Sequence, residues 1–275
     1  MPALEPNLLK SVFYIYPSVD DAENSQEFGG TGFFIGIPAS ESENRFFLYA
    51  VTCHHILLDN KSNPIVLRIN TGDGKFDTIE TRYEDWTPHP SGDDVAIMRL
   101  ALGENHNFEV GIIPRSDFPT AEFTKEIGIF PGDEVFMIGR FRVHSGKKKN
   151  LPAAMFGYIS MLPDESIYNP KTTLMQDSYL VEMRSISGFS GSPVFQWIDE
   201  LSLRPHTRKQ SLMLRRRLLG ICWGYINVPE IATDVSDQKY ELKLNSSMAA
   251  VVPYQKIMDL IDDDMKSREE ENKGL

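Results

Sequence analysis

From Ser11 to Val252 the chain is a train of short runs rich in β-branched and aromatic residues, each closed by Gly, Pro, Asn or Asp. This pattern constrains the fold more than any other feature of the sequence. In the first half the runs fall at Ser11–Tyr16, Gly32–Ile37, Arg45–Val51, Ile65–Ile69 and Val95–Leu100. In the second half they fall at Glu134–Gly139, Ala154–Ser160, Ser178–Met183, Pro193–Trp197, Leu218–Trp223 and Ala249–Val252. Many short strands separated by turn signals, with no alternation of strand and helix, point to a sandwich or barrel and exclude a doubly wound parallel sheet. One helical pattern follows, with Pro253 suited to a first helical position and Ile257, Leu260 and Ile261 on one face. After Asp262 the sequence turns charged, which predicts fraying there and a solvated tail over Ser267–Leu275. Ser116–Lys125 reads as a linker between halves, and Asp199–Arg217 as a polar, basic insertion between two strands.

Composition narrows the functional classes. The 275 residues carry 28 Lys and Arg against 39 Asp and Glu, a net charge of −11, which argues against a general nucleic-acid binder. Two clusters of the opposite sign stand out: Lys147–Lys149, and Arg204, His206, Arg208, Lys209, Arg215, Arg216 and Arg217. They read first as charged hairpin tips and second as a docking patch for an acidic partner or nucleic acid. Two cysteines exclude a disulfide scaffold and a four-cysteine zinc site. Apolar runs such as Phe46–Val51 are far shorter than the roughly 20 residues a membrane span needs. The start, MPALEPNLLK, has no basic stretch leading into an apolar core, so no secretory signal is read and a reducing cytoplasm is the expected location.

Three local motifs carry chemistry, in a fixed order. Ala50-Val51-Thr52-Cys53-His54-His55 ends a strand, Asp93-Asp94-Val95-Ala96-Ile97 begins one, and Ser187-Gly188-Phe189-Ser190-Gly191-Ser192-Pro193 is a Gly-rich turn feeding another. Each alone has an ordinary structural meaning: a surface histidine pair, a turn, a loop serine. Taken in order they resemble the trypsin-like (chymotrypsin-fold) serine proteases, in which the triad runs His, Asp, Ser along the chain. The resemblance makes His55 the general base, Asp94 the orienting carboxylate and Ser190 the nucleophile. It places the oxyanion hole on the N–H groups of Gly188 and Ser190. His54 remains the alternative base; adjacent residues on a strand point to opposite faces, so only one of the pair can meet Ser190. Gly30-Thr31-Gly32-Phe33 and Leu219-Gly220-Ile221-Cys222-Trp223-Gly224 match further strands of the family. Pro131-Gly132-Asp133-Glu134-Val135 matches the opening of the second barrel in its non-secreted branches.

The chemistry explains the residue types. A serine hydroxyl needs a base within hydrogen-bond reach, an imidazole can take and return the proton, and a buried carboxylate fixes its tautomer. The resemblance implies an all-β chain: one antiparallel barrel over 1–118 carrying His55 and Asp94, a second over 119–252 carrying Ser190, and a C-terminal helix and tail over 253–275. It implies a serine endopeptidase acting on protein or peptide substrates through an acyl-enzyme, without cofactor or metal, whose substrate pairs its backbone near Trp223 and Gly224. Arg184, six residues before Ser190, stands where the family's primary specificity pocket has its base, and would favour an acidic residue before the scissile bond. Cys222 and Trp223 would wall that pocket. Cys53 and Cys222 map near the triad, as two buried thiols or as a disulfide. Phe189 stands where secreted relatives carry the Asp that pairs with a cleaved N-terminus, so no such activation is expected. An enzyme without that switch needs narrow specificity or an activating protein partner. The competing reading is a protease-fold binding or scaffold module with an idle triad.

Overall fold

The computed structural model describes residues 4–26, 29–39, 46–61, 64–103, 106–126, 128–184, 186–198, 216–233 and 238–273. Its first half contains α1 (Pro6–Leu9), β1 (Val12–Tyr16), α2 (Val19–Glu23), β2 (Gly30–Pro38), β3 (Phe46–Thr52), α3 (His54–Leu58), β4 (Ile65–Asn70), β5 (Phe76–Thr81), β6 (Thr87–Pro88), β7 (Ala96–Leu100) and β8 (Ile113–Pro114). Its second half contains α4 (Ala121–Glu126), β9 (Glu134–Gly139), β10 (Ala153–Met161), β11 (Ile167–Asn169), β12 (Leu174–Gln176), β13 (Tyr179–Glu182), β14 (Ser192–Trp197), β15 (Arg216–Thr233), β16 (Lys239–Pro253) and α5 (Tyr254–Lys273).

The second half closes as expected: β10-β13-β16-β15-β14-β9 form a closed barrel. The first half differs from the full barrel expected. It is an eight-stranded sheet in the order β5-β4-β1-β2-β3-β7-β6, with β8 running parallel beside β2, and it curls without its ends pairing. At one end β6 is two residues long, and its Pro88 has no N–H with which to extend a ladder. The curled face is instead covered from outside the sheet. One apolar core joins Phe13, Phe33, Val51 and Ile97 of the first half to Phe195, Leu218 and Val252 of the second and to Ile257 and Ile261 of α5. Strand β1 is buried along its whole length because it is covered on both sides: Phe13 and Ile15 enter that core, while Tyr14 and Tyr16 pack with Ala22 and Val66.

Three other expectations change. Helix α5 does not fray at Asp262 but continues to Lys273, because Asp264 accepts from Tyr49 Oη at 2.8 Å and from Arg268 Nε at 3.0 Å one turn on. The proposed linker is anchored: Asp117 and Phe118 are buried, and Arg216 Nε meets Asp117 Oδ2 at 2.8 Å. Strands β15 and β16 run far beyond the short stretches read from sequence and pair out to Thr233↔Lys239, forming an arm that exposes Ile231 and Tyr240. Of the basic insertion, Arg204, His206, Arg208, Lys209 and Arg215 lie outside the described residues. Among the described residues no helix is long and apolar enough to cross a membrane.

Candidate active site

The site forms where the curled sheet meets the closed barrel. Strand β3 ends at Thr52; Cys53 holds an extended conformation (φ −73°, ψ 138°) and caps α3. His54 and His55 therefore occupy the first turn of a helix rather than a strand end, so strand alternation does not separate them. The helix still sends them apart. His54 Nε2 lies 2.8 Å from Tyr83 Oη, whereas His55 turns inward and is nearly buried. Asp94, wholly buried, grips His55 twice: Oδ1 accepts the His55 backbone N–H at 2.9 Å and Oδ2 lies 2.7 Å from Nδ1. Burial alone would push the Asp94 carboxyl up, but the His55 charge and the hydrogen bonds from His55 and Asn169 outweigh it and hold the carboxyl below the ordinary range.

Ser190 arrives from the other half on the turn before β14. Gly188 (φ +105°) and Gly191 (φ +85°) take left-handed conformations there. A Cβ on Gly191 would sit 1.8 Å from Thr31 O, so that turn can press onto β2 only with glycine. Three hydrogen bonds hold the turn and its surroundings to the first sheet: Thr31 N–H to Ser190 O at 2.9 Å, Thr31 Oγ1 to Gly188 O at 2.8 Å, and Arg140 N–H to Thr31 Oγ1 at 3.0 Å; within that sheet Thr52 Oγ1 donates to Thr31 O at 2.8 Å. Phe189 is fully buried with Val135, Met137 and Val194 inside the barrel, so an apolar side chain roots the turn. The Gly191 N–H is taken by Cys222 O at 2.8 Å; among the described residues the N–H groups of Gly188 and Ser190 have no acceptor.

His55, Ser190, Gly188, Trp223 and Gly224 line one cavity of about 460 Å³, with Lys171 and Asp59 at its wall. The Ser190 hydroxyl donates to Trp223 O at 3.1 Å and, among the described residues, makes no hydrogen bond to His55. Trp223 is buried and its Nε1 donates to Ser178 Oγ at 3.0 Å. Cys222 is buried behind the cavity rather than lining it, and Arg184 is exposed on the bend after β13, outside the lining. Cys53 and Cys222 form no disulfide; the Cys53 thiol donates to Cys222 O at 3.3 Å.

Cys53, His55 and Asp94 bring three donor atoms within 4.8 Å of one another. The set does not fit a metal as arranged. Asp94 spends both oxygens on His55, and burial followed by the Asp94 charge pushes the Cys53 thiol well above its ordinary range, away from the thiolate a metal requires. The arrangement instead suits proton transfer: an imidazole with Nδ1 held by a carboxylate, its other nitrogen without a hydrogen-bond partner among the described residues, and two N–H groups beside the Ser190 hydroxyl.

Two functional-site residues escaped sequence reasoning. Asn169 and Gln176, on the β11–β12 hairpin, bond the Asp94 side chain and backbone. Asn169-Pro170 signals a turn but says nothing of a distant partner.

Residues 30–200 match the family described as trypsin-like peptidase domain. Among solved structures, the crystal structure of Deg5 aligns at a TM-score of 0.50 and 14% identity, covering 92% of this chain and 88% of that one. An inactive form of the Rv3671c protease gives 0.47 and 17%, covering 95% and 97%. A mutant of Rv3671c from M. tuberculosis H37Rv gives 0.45 and 14%, covering 96% of each. At such identities the Deg5 likeness speaks to the fold alone. No curated protein matches the sequence.

Proposed function

The chain belongs to the trypsin-like peptidase family, and from that premise we propose that it is a serine endopeptidase using Ser190, His55 and Asp94. The observation that carries this reading is the double grip of Asp94 on His55 in the cavity that Ser190 also lines. In the proposed reaction Ser190 Oγ turns from Trp223 O toward His55 Nε2, which takes its proton as the Oγ–carbon bond forms. The Gly188 and Ser190 N–H groups receive the developing oxyanion. His55 returns the proton to the leaving amine as the peptide C–N bond breaks; water, activated the same way, then cleaves the acyl-enzyme. Asp94 holds the imidazole in the tautomer this requires and stabilises its protonated form.

The finer assignment is to a non-secreted branch acting in the cytoplasm. Phe189 supports it, since this buried side chain does the anchoring for which secreted relatives use a salt bridge to a cleaved N-terminus. The Ser190–Trp223 hydrogen bond favours one refinement: a resting site that substrate or an activating protein completes by turning the hydroxyl. A protein or peptide substrate fits the cleft edge at Trp223 and Gly224, where an extended backbone can pair. Arg184 is exposed outside the lining, so the acidic preference expected of it has no support there; the wall carries Lys171 and Asp59 instead.

The test is labelling by a fluorophosphonate probe with Ser190→Ala alongside. Labelling of the wild type alone is the expected result. A folded wild type that never labels, with or without candidate substrate proteins, would overturn the reading in favour of a binding module.

A further inference from the structure

The β11–β12 hairpin is short, belongs to neither main sheet, and turns two amide side chains into the protein. Asn169 is wholly buried and Gln176 nearly so, while Tyr168 and Met175, paired across the opposite face, are 57% and 62% exposed. Burying an amide is costly without partners. Here almost every partner lies on the loop that carries the catalytic carboxylate or on the hairpin itself. Asn169 Nδ2 donates to Asp94 Oδ2 at 3.0 Å, the same oxygen that meets His55 Nδ1. Its Oδ1 accepts the Lys171 backbone N–H at 2.9 Å, fixing the tip at which Pro170 and Lys171 line the cavity. Gln176 Oε1 accepts the Asp94 backbone N–H at 2.7 Å, and its Nε2 donates to Asp93 Oδ1 at 2.7 Å. Asp93 in turn faces Lys256 of α5 at 3.1 Å.

We infer that Asn169 is a positioning residue for proteolysis: it orients the Asp94 carboxylate toward His55 and ties that orientation to the cavity wall at Pro170–Lys171. The inference rests on the serine-endopeptidase reading. Asp94 Oδ2 must accept from two donors at once, and the second donor fixes which lone pair is left for the imidazole. That donor comes from the second half of the chain, 75 residues on, so the acid–base pair is complete only when the hairpin is seated. A ligand pressing on Lys171 moves the same amide that holds Asp94.

The experiment compares wild type, Asn169→Ala, Asn169→Ser and Met175→Ala in three measurements. These are the fluorophosphonate labelling rate, the downfield proton NMR signal of the His55 Nδ1–H in histidine-labelled protein, and thermal unfolding. Asn169→Ala is expected to label about tenfold or more slowly, the scale of a lost hydrogen bond to a charged group, and its Nδ1–H signal to shift. Asn169→Ser, which keeps a small polar side chain too short to reach Asp94, should behave the same way and decides the matter if the alanine variant fails to fold. Met175→Ala, on the outer face, should match the wild type in labelling rate and in the Nδ1–H signal. A folded Asn169 variant with the wild-type signal and labelling rate overturns the inference. If the wild type itself never labels, the protease reading fails and the catalytic role with it; the NMR signal then still shows whether Asn169 holds the His55–Asp94 pair.

Discussion

The two walls of the cleft are built differently. On one, His55 is held through its backbone and its ring by a single buried carboxylate, which Asn169 also bonds, while Gln176 accepts the Asp94 backbone N–H. On the other, the backbone around Ser190 is clamped to Thr31, yet the hydroxyl points to Trp223 O. In the proposed reading the base is already held in place, while the nucleophile's hydroxyl is engaged with Trp223 O and must turn to meet it. Orienting a buried charge takes several fixed hydrogen bonds, whereas a serine rotamer turns with little barrier. Such a site stores its precision in the acid–base pair and leaves the hydroxyl to respond to what enters the cleft.

The sharpest way to break the comparison is Asp94→Asn, which removes the grip on His55 while leaving the Ser190 turn intact. Labelling should fall about 10⁴-fold, read as the second-order rate with the fluorophosphonate probe. Gly188→Ala attacks the other wall. Its φ of +105° and a Cβ placed 2.7 Å from Arg140 O would force the turn to move and displace an oxyanion donor. A loss of about 10²–10³-fold is expected, with the His55 Nδ1–H signal unchanged. Thr31→Val removes one donor and one acceptor between the halves without changing shape, and should slow labelling about tenfold while lowering the unfolding temperature.

The smallest effect is on acid stability. Asp94 is held below its ordinary range, so its contribution is complete above about pH 4, the unfolded carboxylate value, and fades as pH falls through the lower folded value. Asp117 has the opposite sign: burial raises it despite Arg216, so its cost at neutral pH is relieved on acidification. Asp94→Asn should therefore flatten the fall of the unfolding temperature below about pH 4, and Asp117→Asn should leave that limb steep.

Much of the fold was legible in local signals. The β-type runs located most strands of both sheets, and the apolar spacing of Ile257, Leu260 and Ile261 located the helix that covers the core. What failed was nonlocal. Nothing in Thr87-Pro88 announced that the first sheet would stay open, because closure depends on which strand ends meet. The arm of β15 and β16 carries charged residues and Pro229, weak strand signals that cross-strand pairing overrides. A local change is also illegible: the sequence reads the histidine pair as a strand end, because the one-residue switch from β3 to α3 at Cys53 leaves no mark in composition.

The sequence by itself determined which residues could do chemistry here. The His, Asp and Ser motifs each depend on a few neighbours, and the glycines beside Ser190 are required by backbone conformations that other residues disfavour. Tertiary structure decided how those residues stand: the Asn169 amide on Asp94 across 75 positions, the Gly188 carbonyl on Thr31 across 157, and the Ser190 hydroxyl on the Trp223 carbonyl across 33. Such contacts are chosen by the packing of two halves against each other, and no local pattern encodes a partner that distant in the chain.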